Sequence, residues 1–399
     1  MKKYLSLILI IAILLGCTVL VSASEEGKLL IWADEVRAPV FEDVKVEFEE
    51  SYGIPVEIQE VAFGEIRDNL VVAGPSGEGP DLLIGAHDWL GQLVANGLIE
   101  PIDLSGIKDD FHQVTLDAFS WGGKIYAVPY GFESIGLIYN KDLVVEPPET
   151  FAEFKTIIND LTNKDEDMYG FVMPQPDPYH TFPFLSAAGG YVFGMDDSDK
   201  LNPLDVGLNN EGAVQGLTYL AELYQEELVP YVDYQTMMSL FTSNKAGMIL
   251  TGPWALADVK KAGINYAFTQ LPTVDGQTAK PFVGVQGMMI NSFSKNKILA
   301  QAFLTEFIAT EATMMELYEL DNRPPAYIPV AESVSEDPDT AGVLESAANG
   351  TPMPSIPEMS SVWQGWTDAL EVVLTQGQDP QAALDNAVEQ IVAAIEASN

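Results

Sequence analysis

Three short apolar runs open the chain after a hydrophobic leader. KLLIWA (28–33), GIPVEIQEVA (53–62) and PDLLIGA (80–86) are each bounded by Gly, Pro or charge, and each reads as a strand. Between the first two, residues 38–52 set Val40, Phe41, Val44, Val46 and Phe48 among many charges, the pattern of an amphipathic helix. Residues 64–73 read as a second helix, followed by the turn-rich GPSGEG (74–79). The order β-α-β-α-β predicts an α/β sheet with helices on both faces. Ligands approach such sheets at the C-terminal ends of the strands. Two segments fall there, WADEVR (32–37) and GAHDW (85–89), and each brings a carboxylate and an aromatic ring.

Beyond residue 120 the pattern changes. KIYAVPYGFE and SIGLIYN read as extended segments that cross onward. PPETFAEFKTIINDL (147–161) predicts a helix with Pro and a Thr cap at its start. YGFVMP (169–174), KAGMILTGPWAL (245–256) and KPFVGVQGMMINSFS (280–294) read as extended, the second running into a Gly-Pro turn. Helices are expected at 211–225, 296–321, 340–348 and 379–398, and QPDPYHTFP (175–183) reads as a Pro-rich loop. No internal repeat is evident.

A chain of 399 residues suits two domains of ordinary size. The formal net charge of −40 argues against nucleic acid, whose phosphates need Lys and Arg, and against anionic lipid. Lys2 and Lys3, the apolar stretch 4–15 and the small residues Val21-Ser22-Ala23 form a secretory leader, with cleavage expected after Ala23 (1–23). Removing it takes the charge to about −42 and places the mature protein in the periplasm. Leu14-Leu15-Gly16-Cys17 offers the alternative of lipid attachment at Cys17, the only cysteine.

Catalytic signatures are missing. The three histidines, His87, His112 and His180, form no HExxH or i, i+4 pair, so no metal is expected. GPSGEGP lacks the Lys and Ser/Thr of a phosphate loop, and DDSDK (196–200) lacks the Gly and Glu of a calcium loop. No cofactor is implied. Carboxylates are numerous enough for a glycan hydrolase using Glu133 and Asp88, although nothing marks a general acid.

Seven blocks then stand in a telling order: EEGKLLIWA, GPDLLIGAHDWLGQLVANGLIEPI (79–102), GKIYAVPYGFESIGLIYNKDL (123–143), PYHTFPFLSAAGGYVF (178–193), TGPWAL (251–256), KPFVGVQGMMIN (280–291) and MPSIPEMSSVW (353–363). Together they resemble the bacterial maltose- and maltodextrin-binding proteins over nearly the whole mature chain. The resemblance implies a type II periplasmic binding protein fold: two α/β lobes joined by hinge strands, with a central ligand cleft. Its N-terminal lobe would comprise 24–131 and 286–335, and its C-terminal lobe 132–285 and 336–399. The hinge crossings would lie near Phe132–Gly136, Phe282–Val285 and Ser335. The resemblance further implies a non-enzymatic, monomeric protein that captures a linear α-1,4-glucan and delivers it to the membrane subunits of an ABC importer. A binder for another oligosaccharide, for trehalose or for a polyamine is the alternative, with Arg37 disfavouring a cation.

A neutral sugar needs planar polar groups for its vicinal hydroxyls and flat rings for its C–H faces. The positions matching the family's site supply both: Asp34, Glu35 and Arg37 after the first strand, Asp88 and Trp89 after the third, Glu133 at a hinge, Asp177, Tyr179 and His180 in the Pro-rich loop, Trp254 in GPW, and Trp363. Trp32 and Trp121 read as core. The chain departs from the family at Gly85, where Trp is common, and at Trp89, where a basic residue is frequent. His180 stands for a stacking ring, and Gln364 and Thr367 for Tyr and Arg. Trp366, one helical turn after Trp363, is expected to extend the sugar platform or fill the vacated space.

Overall fold

The computed structural model describes residues 27–196, 200–274 and 276–398. The expected leader, with Cys17 and Ala23, lies outside the described residues, as does most of the 196–200 turn. The strands Leu29–Ala33, Val56–Glu60 and Leu82–Ala86 pair in parallel, with Leu29–Ala33 in the middle, and the helices Ala38–Tyr52 and Phe63–Ser76 connect them. This is the unit read from the apolar runs. Its second helix continues through Pro75 and ends in left-handed backbone at Gly77, so GPSG is helix end rather than loop. A proline is tolerated there because only one carbonyl in the last turn loses its donor.

The strand Phe282–Asn291 organises the molecule. Its C-terminal part pairs antiparallel with Leu82–Ala86 on one side, and most of its length pairs with Ala127–Ser134 on the other. At the N-terminal end of this pair, Val283 faces Ser134, and the Ser134 hydroxyl donates to the Phe282 carbonyl at 3.1 Å. One residue later the chain enters a second sheet, in the order Tyr266–Thr269, Gly136–Asn140, Ala246–Thr251, Tyr169–Val172. The cores divide accordingly. One contains buried apolar residues from 29–130 and 285–330, whereas the others draw on 135–282 and 343–395. The fold is therefore two-lobed, with paired strands passing between the lobes.

Local sequence explains most elements. Thr150 caps Phe151–Leu161 in a reciprocal capping box with Glu153, and Pro147 and Pro148 precede the helix rather than entering it. The helical run expected over 296–321 is in three pieces: Lys297–Ala302, a π turn Phe303–Ile308, and Glu311–Asp321, whose cap is the Thr310 hydroxyl. QPDPYHTFP is not a loop. Asp177 caps the helix Pro178–Ala187 by accepting from the His180 amide at 3.1 Å, and Pro178 takes the first helical position, where no N–H is needed. Among the described residues no helix is long and apolar enough to cross a membrane.

Candidate ligand-binding cleft

A cleft of about 530 Å³ lies where the strand ends of both lobes meet. From the first lobe, the ends of Leu29–Ala33 and Leu82–Ala86 deliver Asp34 and the Asp88–Trp89 pair. Glu133 and Gln286 enter from the two crossing strands, and Asp177, Tyr179, Trp254 and Trp363 from the second lobe. Nine of the twelve residues expected from sequence thus share one cavity.

A chain of buried charge forms its floor. Arg37 pairs with Asp34 and reaches Asp321 at 3.3 Å, while Arg323 pairs with both Asp321 and Glu133. Gln286 continues the line by donating to Glu133 at 3.2 Å. Burial alone would strip the charge from Arg323, but the Asp321 and Glu133 carboxylates hold it firmly protonated. Asp34 also accepts from the Val36 and Arg37 amides. Its carboxylate thereby positions Arg37 and the entry to Ala38–Tyr52, with little capacity left for a ligand.

Other polar atoms have been left open. Asp88 Oδ1, the side-chain Oε1 of Gln286 and the Tyr179 hydroxyl are buried and have no hydrogen-bond partner among the described residues. Buried polar atoms are ordinarily satisfied, so such atoms lining one cavity suit a hydroxylated guest. Burial pushes the Asp88 carboxyl up to about 7 against the opposing charge of Arg67. Burial, then the Glu133 carboxylate, keeps the Tyr179 phenol protonated and able to donate. Asp177 behaves differently: burial works against its charge, but the His180 ring at 2.9 Å and amide donors from His180 and Tyr179 hold it below the usual carboxylate range.

The second-lobe wall is aromatic. Tyr179 and Trp254 have ring centres 6.3 Å apart, and Trp363 stands near Phe282 at 6.3 Å. Trp363 is half-buried, and behind it Trp366 runs parallel at 6.5 Å and meets Phe182 edge-on. The first-lobe wall carries Trp89 against Phe63, with ring centres at 4.9 Å. A Cβ added to Gly85 would come within 2.7 Å of the Trp89 ring. The loss of a side chain at 85 and the ring at 89 are therefore one feature: the indole occupies the space that a larger residue 85 would need.

Three expectations need correction. Trp366 is 0% exposed, so of its two expected roles it packs in the core behind Trp363 and does not extend the platform. Glu35 points to solvent outside the cleft, because Asp34 and Arg37 take the inward positions of the turn. His180 is buried behind Asp177 and lies edge-on to Trp254, with no face on the cavity. Sequence reading passed over Phe63, Arg67, Gln286, Arg323 and Met353, all of which line the cleft. One signal could have found part of this set: the chain has only three arginines, and all three are there.

His87 joins the parts behind the cleft. Its Nδ1 accepts from the Val285 amide at 3.1 Å and its Nε2 donates to the Met353 carbonyl at 3.0 Å, a neutral tautomer that burial favours by lowering its pKa to about 4. A ring so placed links the first lobe's third strand to a crossing strand and to the segment leading into Trp363.

Comparison with known proteins agrees with this architecture. A family described as bacterial extracellular solute-binding protein matches residues 44–344. The chain is 32% identical to the galactooligosaccharide-binding protein of Bacillus subtilis, over 95% of this chain and 92% of that protein. It is 31% identical to the maltodextrin-binding protein MdxE of the same organism, over 92% and 91%. It is 30% identical to a maltooligosaccharide ABC transporter solute-binding lipoprotein of Streptococcus pneumoniae, over 92% and 89%. Each of these relatives is named as a binding protein for an oligosaccharide or maltodextrin.

Proposed function

The chain belongs to the bacterial extracellular solute-binding protein family, and from that premise we propose that it captures an oligosaccharide, specifically a linear α-1,4-glucan, and presents it to the membrane subunits of an ABC importer. The observation that carries this reading is the pairing of an aromatic wall, Tyr179, Trp254 and Trp363, with unpaired buried polar atoms on Asp88 and Gln286 across the cleft. Rings bury the C–H faces of a sugar, and the polar atoms meet its hydroxyls. The names of the maltodextrin- and maltooligosaccharide-binding relatives support the glucan over other neutral solutes.

Capture proceeds by hinge closure about the crossing strands near Phe132–Gly136 and Phe282–Val285 and the return near Ser335. A guest that touches both walls favours the closed state by its differential affinity, and a guest that touches one wall does not. Export follows from the 1–23 leader. Retention at the membrane through Cys17 is the second route, favoured by Leu14-Leu15-Gly16-Cys17 and by the streptococcal lipoprotein. The intact mass of the mature protein distinguishes the two.

Calorimetric titration with maltose, maltotriose, a galactooligosaccharide, trehalose and spermidine tests the ligand. Tight, saturable binding of maltotriose with compaction in small-angle scattering is expected. Binding of the galactooligosaccharide or of spermidine alone would overturn the glucan assignment. Release of reducing ends from maltodextrin by the purified protein would overturn the non-enzymatic reading.

A further inference from the structure

The chain spends its three arginines in one place, and they are not equivalent. Arg37 and Arg323 have side chains only 3% and 6% exposed, and buried carboxylates hold both. Arg67 is 21% exposed and therefore sits at the outer rim of the cleft. Among the described residues its one hydrogen bond runs from Nε to Asp68 at 2.9 Å, and Asp68 is itself 68% exposed. Exposed pairs of this kind contribute little, and the terminal guanidinium nitrogens remain available. Guanidinium is the group suited to paired donation, which a lysine in its place would not offer.

Arg67 stands beside a packed pair of rings. It lies one helical turn after Phe63 on Phe63–Ser76, so the two share a face. Phe63 is held between Trp89 at 4.9 Å and the Arg37 guanidinium at 5.2 Å. Beside this apolar floor, Asp88 Oδ1 is buried and without a hydrogen-bond partner among the described residues. A donor fork at the rim and an open acceptor further in make a complementary pair for adjacent hydroxyls on one sugar ring. An anionic substituent is disfavoured there, because it would meet Asp68 and Asp88.

Resting on the oligosaccharide reading above, we propose that Arg67 donates to ligand hydroxyls in an outer subsite on the first-lobe wall, floored by Phe63 and Trp89, and that it sets a preference for chains longer than a disaccharide. The central carboxylates and the second-lobe rings would hold the inner sugars, and Arg67 would reach only a ring that extends to the rim. Three groups face Asp88 in this arrangement: Arg67 from its helix, Glu133 from the crossing strand and Tyr179 from the opposite lobe. Losing the cation at 67 removes the only one of them that favours the ionised carboxylate.

The test compares wild type, Arg67→Gln and Arg67→Lys by calorimetry with maltose, maltotriose and maltotetraose across pH 5.5 to 8.5. Position 67 lies on a half-exposed helix face, and circular dichroism checks that the variants fold. Arg67→Gln is expected to weaken maltotriose and maltotetraose about tenfold, the order of one charge-assisted hydrogen bond, while changing maltose less than about twofold. Arg67→Lys should recover only part of the loss. The pH midpoint of binding should move upward in Arg67→Gln. An equal loss for every length, or no loss, overturns the subsite. If wild type binds none of the three glucans, the glucan reading fails first and the subsite with it.

Discussion

The guanidinium carbon of Arg323 lies 5.1 Å from the centre of the Trp254 ring while its Nε pairs with Glu133. Arg323 follows a helix that packs in the first lobe, Trp254 belongs to the second, and Glu133 lies on a strand between them. A ring of the cleft wall is thus fastened from outside its own lobe by the charge chain that floors the cleft.

Replacing Arg323 with Ala should be costly. Glu133 would be left buried without its cation and Asp321 with Arg37 alone, a loss of roughly 3–5 kcal/mol. The check is a shift of the first transition in urea unfolding, followed by tryptophan fluorescence. Arg323→Lys should retain part of the stability, because it restores charge without the planar fork.

Trp254→Ala and Trp366→Ala should separate binding from folding. The first removes a half-buried ring facing the cavity, and ligand affinity should fall by about 2 kcal/mol, roughly thirtyfold. The second empties a fully buried site and should destabilise the protein by about 3–5 kcal/mol, with a smaller effect on affinity at temperatures where it remains folded. Calorimetry and thermal unfolding on both variants distinguish the two outcomes.

Asp88 should make binding pH-dependent. Its carboxyl is raised to about 7, above its ordinary value of 3.8, so the folded protein holds a proton there that the unfolded chain releases. Its contribution to stability is therefore most favourable below about pH 4 and declines as pH rises toward 7. A ligand that donates to the carboxylate favours the ionised form. Affinity for maltotriose should rise between pH 6 and 8, and Asp88→Asn should flatten that profile as well as weaken binding at pH 8.

Gly85 and Trp89 should behave as a coupled pair. Gly85→Ala places a methyl about 2.7 Å from the indole and 2.8 Å from the Met289 side chain, and overpacking of this kind costs about 1–3 kcal/mol. Trp89→Ala should relieve most of it, so the double variant should be more stable than the sum of the singles implies. A thermal-unfolding double-mutant cycle gives the coupling.

Much of this molecule was legible in order and spacing. The apolar runs at 28–33, 53–62 and 80–86 reached the parallel sheet because fully buried strands need continuous apolar residues. The Thr150 cap was readable because a cap is a local interaction. Nine cleft residues could be named because strand ends and family blocks mark them. Two kinds of local information stayed hidden. Trp363 and Trp366 have the same residue type one turn apart, and a small rotation about the helix axis sends one ring to the cavity and the other to the core. Pro178 and Pro183 suggested a loop, whereas the Asp177 cap made a helix start of them.

The arginines mark the division most clearly. By itself the sequence determined that guanidinium is rare in this chain and that its strands end in acids and rings, since composition and periodicity are properties of the chain. It could not place Arg323 beside Glu133, 190 positions earlier, or beside Trp254 from the other lobe. Those contacts exist only because the strand Phe282–Asn291 draws the two lobes together, and pairing across such distances depends on how the whole chain packs. The tertiary structure decided which buried charges neutralise each other and which polar atoms, at Asp88, Gln286 and Tyr179, are left without a hydrogen-bond partner among the described residues.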